Sequence, residues 1–203
     1  HGAPSDINSH PQVSESGLFA VVHNGIIENY AELKEFLIES GVSFVSQTDT
    51  EVVAQLIEHY YRGDIFDAIV KMLAKVRGSY ALGIICSKDP NTLYAVRKDS
   101  PLIIGLGKDE NFIASDIPAF LHKTREVLRL KDDEVAVRTR QKVTVYNQNH
   151  ELVPKTPEHI DWDVSAAEKG GYPHFMLKEI MEQPKAVRDT ILPRIKDGRV
   201  VLD

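Results

Sequence analysis

Two short stretches carry side chains suited to acyl-transfer chemistry. The first is His23-Asn24-Gly25, directly after the apolar run 18–22. An Asn side-chain amide beside a Gly backbone N–H makes two donors that can converge on one developing negative oxygen, which is what an oxyanion hole requires. Glycine suits the second position because its N–H can approach a substrate with no Cβ in the way. Asn-Gly is also a common turn pair, so residue type alone leaves a plain strand-to-helix turn open. The second stretch is Thr48-Asp49-Thr50-Glu51. A carboxylate at a helix start ordinarily caps free backbone N–H groups. Turned into a cleft instead, Asp49 would hold an ammonium group of a substrate.

Other groups point to less. His1, His10 and His23 come with no HExxH pattern, no paired His at helical spacing and no cysteine partner, so no metal site is expected. Cys86 follows Ile84 and Ile85 in an apolar run and reads as a buried neutral thiol, because a reactive thiolate needs a cationic or helix-terminal setting. Gly105-Leu106-Gly107 lacks the lysine of a phosphate loop and has no helix after it; it reads as a bend in a hairpin.

The elements that must position these groups follow from periodicity. The run 18–22 predicts a buried strand, broken at His23-Asn24-Gly25. Asn29 followed by Glu32, with Leu33, Phe36 and Leu37 on one face and Gly41 as terminator, predicts a helix over 30–40. Residues 44–46 predict a second short strand, and the Thr48 to Glu51 stretch opens a second helix carrying Val52, Val53, Leu56 and Ile57. A third helix over 65–76 presents Ile69, Leu73 and Val76, and the last two helices should lie side by side on one sheet. Strands follow at 79–86 and 92–97 across a turn at 88–91, then at 102–106, 111–114, 134–138 and 142–146. Strands, then helices, then a run of antiparallel strands define an α+β layered domain. The Pro- and Gly-punctuated stretch 153–171, with the lone Trp162, reads as a domain exit, and 175–191 as a helix interrupted at Pro184.

Composition narrows the function. With 203 residues, 42% apolar and 27% charged, the chain falls in the range of globular proteins with one large domain and at most an appendage. Twenty-four Lys+Arg against 30 Asp+Glu leave a net charge of −6 with no basic run, so duplex nucleic acid is not an expected partner. Apolar runs such as 80–86 are strand-length and fall short of the roughly 20 residues that span a bilayer, so no membrane association is expected. One cysteine excludes an internal disulfide framework, and a cytoplasmic protein is expected.

Taken in order, several stretches resemble one family: His1-Gly2-Ala3-Pro4-Ser5, His23-Asn24-Gly25-Ile26-Ile27-Glu28-Asn29, Thr48-Asp49-Thr50-Glu51, Arg77-Gly78-Ser79-Tyr80-Ala81, Ser100-Pro101-Leu102-Ile103-Ile104-Gly105-Leu106-Gly107, Glu110-Asn111-Phe112-Ile113-Ala114-Ser115-Asp116 and Lys178-Glu179-Ile180-Met181-Glu182-Gln183-Pro184. The chain is similar to the N-terminal-nucleophile glutamine amidotransferases, and within them to the isomerising glucosamine–fructose-6-phosphate aminotransferase family. That resemblance implies a four-layer αββα sandwich that hydrolyses L-glutamine and passes ammonia to a second domain, which isomerises fructose 6-phosphate and yields glucosamine 6-phosphate. It implies no cofactor. The implied nucleophile is an N-terminal cysteine whose own α-amino group is the base, workable because such an amine has a pKa of about 7.7 to 8.0. Asn24 and Gly25 match the oxyanion hole, Asp49 the acid that holds the substrate α-ammonium, and His1 and Gly2 the end of a loop that folds over glutamine.

The match begins partway into the glutaminase domain, after the cysteine, its strands and an Arg-Trp-Ala-Thr stretch. Residues 1–163 are therefore expected to be a glutaminase domain incomplete at its N-terminus, and 164–203 a linker and the first helical element of the sugar-isomerising domain. Alone, the chain is expected not to hydrolyse glutamine; the intact enzyme is expected to be a homo-oligomer. The glutaminase domain of another amidotransferase and a non-catalytic glutamine-binding or interaction module are the competing readings.

Overall fold

The computed structural model describes residues 2–132, 134–161, 170–196 and 198–201. They fall into two compact units, His1–Ile160 and Asp161–Asp203.

In chain order the first unit holds β1 (Gln12–Val13), β2 (Phe19–Ile27), α1 (Tyr30–Glu39), α2 (Asp49–Tyr60), α3 (Ile65–Leu73), β3 (Gly78–Cys86), β4 (Asp89–Lys98), β5 (Ile103–Leu106), β6 (Asn111–Ala114), β7 (Glu126–Arg129), β8 (Glu134–Arg138), β9 (Val143–Asn147) and β10 (Glu158–His159). A six-stranded sheet has the order β1-β2-β3-β4-β8-β9 and a four-stranded sheet the order β10-β7-β5-β6. Every strand pair in them is antiparallel.

The period of two along each strand sorts side chains between layers. Phe19, Val21, Leu82, Ile84 and Val96 face the helices and pack with Leu37, Leu56, Ile57, Ile69 and Met72, all fully buried. Each such side chain contributes roughly 1.5–3 kcal/mol through burial. The other face of the sheet carries small residues in one row, Gly83 opposite Ala95, Ala95 opposite Ala136, and Ala136 opposite Val145. Ile104, Leu128 and Leu130 pack on the alanines of that row. A Cβ on Gly83 would stand 2.8 Å from Ile113 Cδ1, so the small row is what lets the two sheets meet. On the far face of the four-stranded sheet the 3-10 turn Ile117–Ala119 brings in Phe120, whose ring occupies the space over Gly105 and stacks on Phe112 at 6.1 Å. The order outward from the helices is thus helix, sheet, sheet and a covering turn.

Several elements differ from the local reading. β2 does not break at His23-Asn24-Gly25; it pairs with β3 residue by residue as far as Ile27 opposite Gly78. Residues 44–46 form no strand. The N–H groups of Val45 and Ser46 donate to the Glu51 carboxylate at 2.9 and 2.6 Å, so they are unavailable to a ladder. The turn expected at 88–91 is tighter, because Cys86 already pairs with Asp89. β7 carried no clear pattern in sequence, yet it is the strand between β5 and β10. In α1, Leu33 and Leu37 are buried while Phe36 is 41% exposed. That helix ends as expected: Gly41 has φ +90°, Val42 N–H reaches the Leu37 carbonyl, and Gly41 N–H the Ile38 carbonyl, the paired bonds of a Schellman motif.

The second unit contains α4 (Phe175–Ile191) and a small antiparallel pair, β11 (Ile195–Lys196) with β12 (Arg199–Val200). α4 runs through Pro184 without the expected interruption, since a single proline withdraws one backbone donor and the neighbouring turns keep theirs. Trp162 and the expected boundary at 163/164 lie outside the described residues. Among the described residues no helix is long and apolar enough to cross a membrane.

Candidate active site

β2 builds the site by alternation. His23 falls on the core-facing side with Phe19 and Val21 and is 8% exposed, whereas Asn24 is exposed. The Asn24 side chain reaches across to the strand-end residue Ser115 and donates from Nδ2 to its Oγ at 3.3 Å. His10, His23, Asn24, Gly83, Ile113 and Ser115 are among the residues around a cavity of about 230 Å³. Its walls combine β2 and β3 of one sheet with the end of β6 from the other, so it lies at the mouth of the sandwich.

Gly25 has φ +135°, and a Cβ there would stand 2.1 Å from the Ser79 carbonyl oxygen. Gly78, on the facing strand, has φ +130° and the reciprocal relation to the Ile26 carbonyl. These two glycines let the ladder continue past the point where a pair of L-residues would force the strands apart. The Asn-Gly pair is therefore a strand feature here and not the turn that its type suggested.

Asp49 is the first residue of α2 and 6% exposed. The helix is capped by Thr48, whose hydroxyl accepts from Glu51 N–H at 3.4 Å, so Asp49 is not its N-cap. Its Oδ2 instead accepts from the Ile27 N–H at 2.8 Å, tying the end of β2 to α2. Oδ1 is buried without a hydrogen-bond partner, as is His23 Nε2. Asp49 is not among the residues around the Asn24 cavity; its carboxylate is held against the backbone at the end of β2. Gly2 is brought to the same end of α2: its Cα leaves no room for a Cβ beside Asn8, and Asn8 Oδ1 accepts from Gln47 N–H at 2.9 Å. His1 lies outside the described residues.

A polar cluster links these parts. His23 Nδ1 is 3.0 Å from Thr50 Oγ1, and His10 Nε2 is 3.3 Å from the same oxygen. Burial lowers the His23 pKa below its usual value; Asp49 opposes this, His10 adds to it, and the Ser79 backbone opposes it. Neither His10 nor Thr50 was singled out as a site residue. The signal available was His23 itself, an ionisable side chain at a core-facing position of the β2 alternation.

A depressed histidine pKa has a definite sign. The unfolded chain takes up the proton first on acidification, so the stability that neutral His23 provides is complete above about pH 6.5 and is lost as the pH falls below it. Urea unfolding between pH 7.5 and 5 should show wild-type stability falling faster than that of His23→Gln. Equal slopes would remove His23 as the cause.

The first unit is thus an antiparallel two-sheet sandwich with helices on one face and a polar cavity between its two sheets. The glutamine amidotransferase domain family matches residues 4–122, more than half of the chain, and the chain belongs to that family. Among its relatives, the glutamine–fructose-6-phosphate aminotransferase (isomerizing) of Caldanaerobacter subterraneus subsp. tengcongensis is 55% identical over 100% of this chain and 34% of its own length. The protein of the same name from Thermococcus kodakarensis is 50% identical over 94% of this chain and 32% of its own. The chain thus spans about a third of the length of these relatives. Of solved structures, glutamine phosphoribosylpyrophosphate amidotransferase from B. subtilis shares the fold with TM-score 0.63 and 24% identity, covering 75% of this chain and 34% of that one. A second, described as the allosteric regulatory enzyme of purine biosynthesis, gives TM-score 0.57 and 26% identity over 64% of this chain and 28% of its own. Among the described residues no cluster of His, Cys, Asp and Glu suited to a metal occurs.

Proposed function

We propose that the chain is the glutamine-hydrolysing portion of an enzyme that makes glucosamine 6-phosphate from fructose 6-phosphate and L-glutamine, the ammonia passing to a sugar-isomerising domain. Residues 1–163 are assigned to glutamine hydrolysis and 164–203 to the start of the isomerising part. The reading includes a cytoplasmic homo-oligomer that needs no cofactor for this half-reaction.

Asn24 carries the proposal. Its amide is exposed at the cavity, and its 3.3 Å bond to Ser115 is long enough for a substrate oxygen to replace it at little cost. Attack on the glutamine carboxamide by the cysteine thiol that the resemblance implies, its proton taken by that cysteine's α-amine, would place negative charge on the carbonyl oxygen; Asn24 Nδ2–H and Gly25 N–H would donate to it, and collapse with that proton passed to the leaving nitrogen would expel ammonia and leave a thioester for water. Cys86 does not supply the nucleophile, because its thiol is buried in the helix-side core. The family resemblance assigns that part to an N-terminal cysteine.

The test is product analysis with the intact enzyme. Amide-labelled glutamine and fructose 6-phosphate should give labelled glucosamine 6-phosphate and glutamate in equal amounts. Amination of phosphoribosylpyrophosphate instead would place the chain in a different amidotransferase.

The same reading gives Asp49 the substrate α-ammonium: its Oδ1 has no hydrogen-bond partner among the described residues, and its Oδ2 is anchored at Ile27, two residues beyond Gly25 on β2. Asp49→Asn should raise KM for glutamine by about tenfold or more, the loss expected for a charge-assisted hydrogen bond, with a smaller effect on kcat. An unchanged KM together with a lowered melting temperature would make Asp49 a strut between β2 and α2.

A further inference from the structure

At the far end of β6 from Ser115, two hairpin turns from different sheets meet. The turn between β5 and β6 presents Lys108, Asp109 and Glu110, and the turn between β8 and β9 follows Arg138 with Arg140. Asn111, buried at 6% exposure, stitches them: its Nδ2 donates to the Thr139 and Arg140 carbonyls at 3.1 and 3.3 Å. In return an Arg138 Nη2–H donates to the Asn111 carbonyl, and Arg140 Nε–H to the Asp109 carbonyl at 3.1 Å. Both guanidinium groups are therefore held in place by backbone acceptors, not by carboxylates.

Between the turns is a cavity of about 600 Å³ lined by Lys108, Arg138, Arg140, Asn91, Asp109 and Glu110, together with Pro90. Some cations of this acidic chain pair with carboxylates, as Arg77 does with Glu32, Arg97 with Asp132, Arg129 with Glu158 and Lys155 with Glu134, while Arg62 donates to backbone carbonyls. Lys108, Arg138 and Arg140 pair with no carboxylate within 4.0 Å among the described residues. Arg138 Nε is moreover buried with no acceptor. A partly desolvated guanidinium in that state is costly, and burial lowers its pKa, with Glu110 opposing from the neighbouring turn.

We propose that this cavity is a binding site for the phosphate group of a small phosphorylated molecule. Three cationic side chains reach it from two turns, and a tetrahedral phosphate can accept from several directions at once, whereas a planar carboxylate offers two oxygens. Asp109 and Glu110 on the wall moderate the affinity. The volume admits a hexose phosphate as well as the phosphate itself. The site shares no lining residue with the Asn24 cavity, so its occupancy can be measured without any glutaminase assay.

Calorimetric titration of the 203-residue chain at low ionic strength, with inorganic phosphate, glucose 6-phosphate and acetate as probes, tests this. Glucose 6-phosphate should bind saturably, one per chain, with Kd at or below about 1 mM. Lys108 takes no part in the clasp between the turns, so Lys108→Gln should weaken binding several-fold at unchanged melting temperature. Arg140→Gln should weaken it about tenfold. Inorganic phosphate should compete and acetate should not. Absence of saturable binding would overturn the proposal and leave the arginines as a structural clasp. Equal binding by wild type and both variants, or equal competition by acetate, would overturn it as well.

Discussion

Asn24→Ala in the intact enzyme should lower glutamine turnover about 10²- to 10³-fold with KM nearly unchanged, the signature of a donor that acts in the transition state and not on bound substrate. The structure makes this a clean substitution. Asn24 is an exposed side chain on a paired strand, and its side-chain bond to Ser115 is long. Its loss leaves no buried group unsatisfied, so the melting temperature should hold. Turnover close to wild type would take Asn24 out of the oxyanion hole and leave the cavity without its principal donor.

Gly25→Ala should behave in the opposite way and cost stability first. The new Cβ would stand 2.1 Å from the Ser79 carbonyl oxygen and 2.9 Å from Tyr80 Cα, both backbone atoms that cannot swing aside, at φ +135°. Left-handed strain of about 1–3 kcal/mol and overpacking of about 1–3 kcal/mol together predict roughly 2–6 kcal/mol. For a domain of this size that lowers the melting temperature by roughly 4–24 °C. Thermal unfolding of the 203-residue chain measures it directly; a change under about 1 kcal/mol would mean that β2 and β3 part locally at little cost. Loss of activity in Gly25→Ala therefore says little about catalysis, because the backbone path needs glycine whatever the N–H does. Asn24 separates the two roles and Gly25 does not.

The contrast between these neighbours shows where local reading stopped. Asn-Gly was recognised as a donor pair but placed on a turn, because the residue types that form turns are those that tolerate positive φ. β3, which sets Ala81 opposite Asn24 and Tyr80 opposite Gly25, is what turns the same dipeptide into a ladder position. Likewise 44–46 has strand-forming residues, and only the return of the Glu51 carboxylate to Val45 and Ser46 denies them a ladder. Conversely, the end of α1 at Gly41 and the start of α2 at Thr48 are legible in the sequence, since each depends on groups a few residues apart.

The sequence by itself determined the chemical groups on offer, the three helices of the first unit, most of the strands, and the ordered set of motifs that marks a glutamine amidotransferase. Tertiary structure decided what those groups face. It sets Asn24 against Ser115 across 91 positions, and Asp49 against the Ile27 N–H across 22. It also buries His23 beside Thr50 and brings Arg138 and Arg140 to the turn that carries Lys108. The physical reason is range. Helix caps, turns and periodicity arise from bonds within one or two turns of chain, whereas a cavity exists only after two sheets close on each other, and that closure depends on the row from Gly83 to Val145, whose members are spread over 62 positions and four strands.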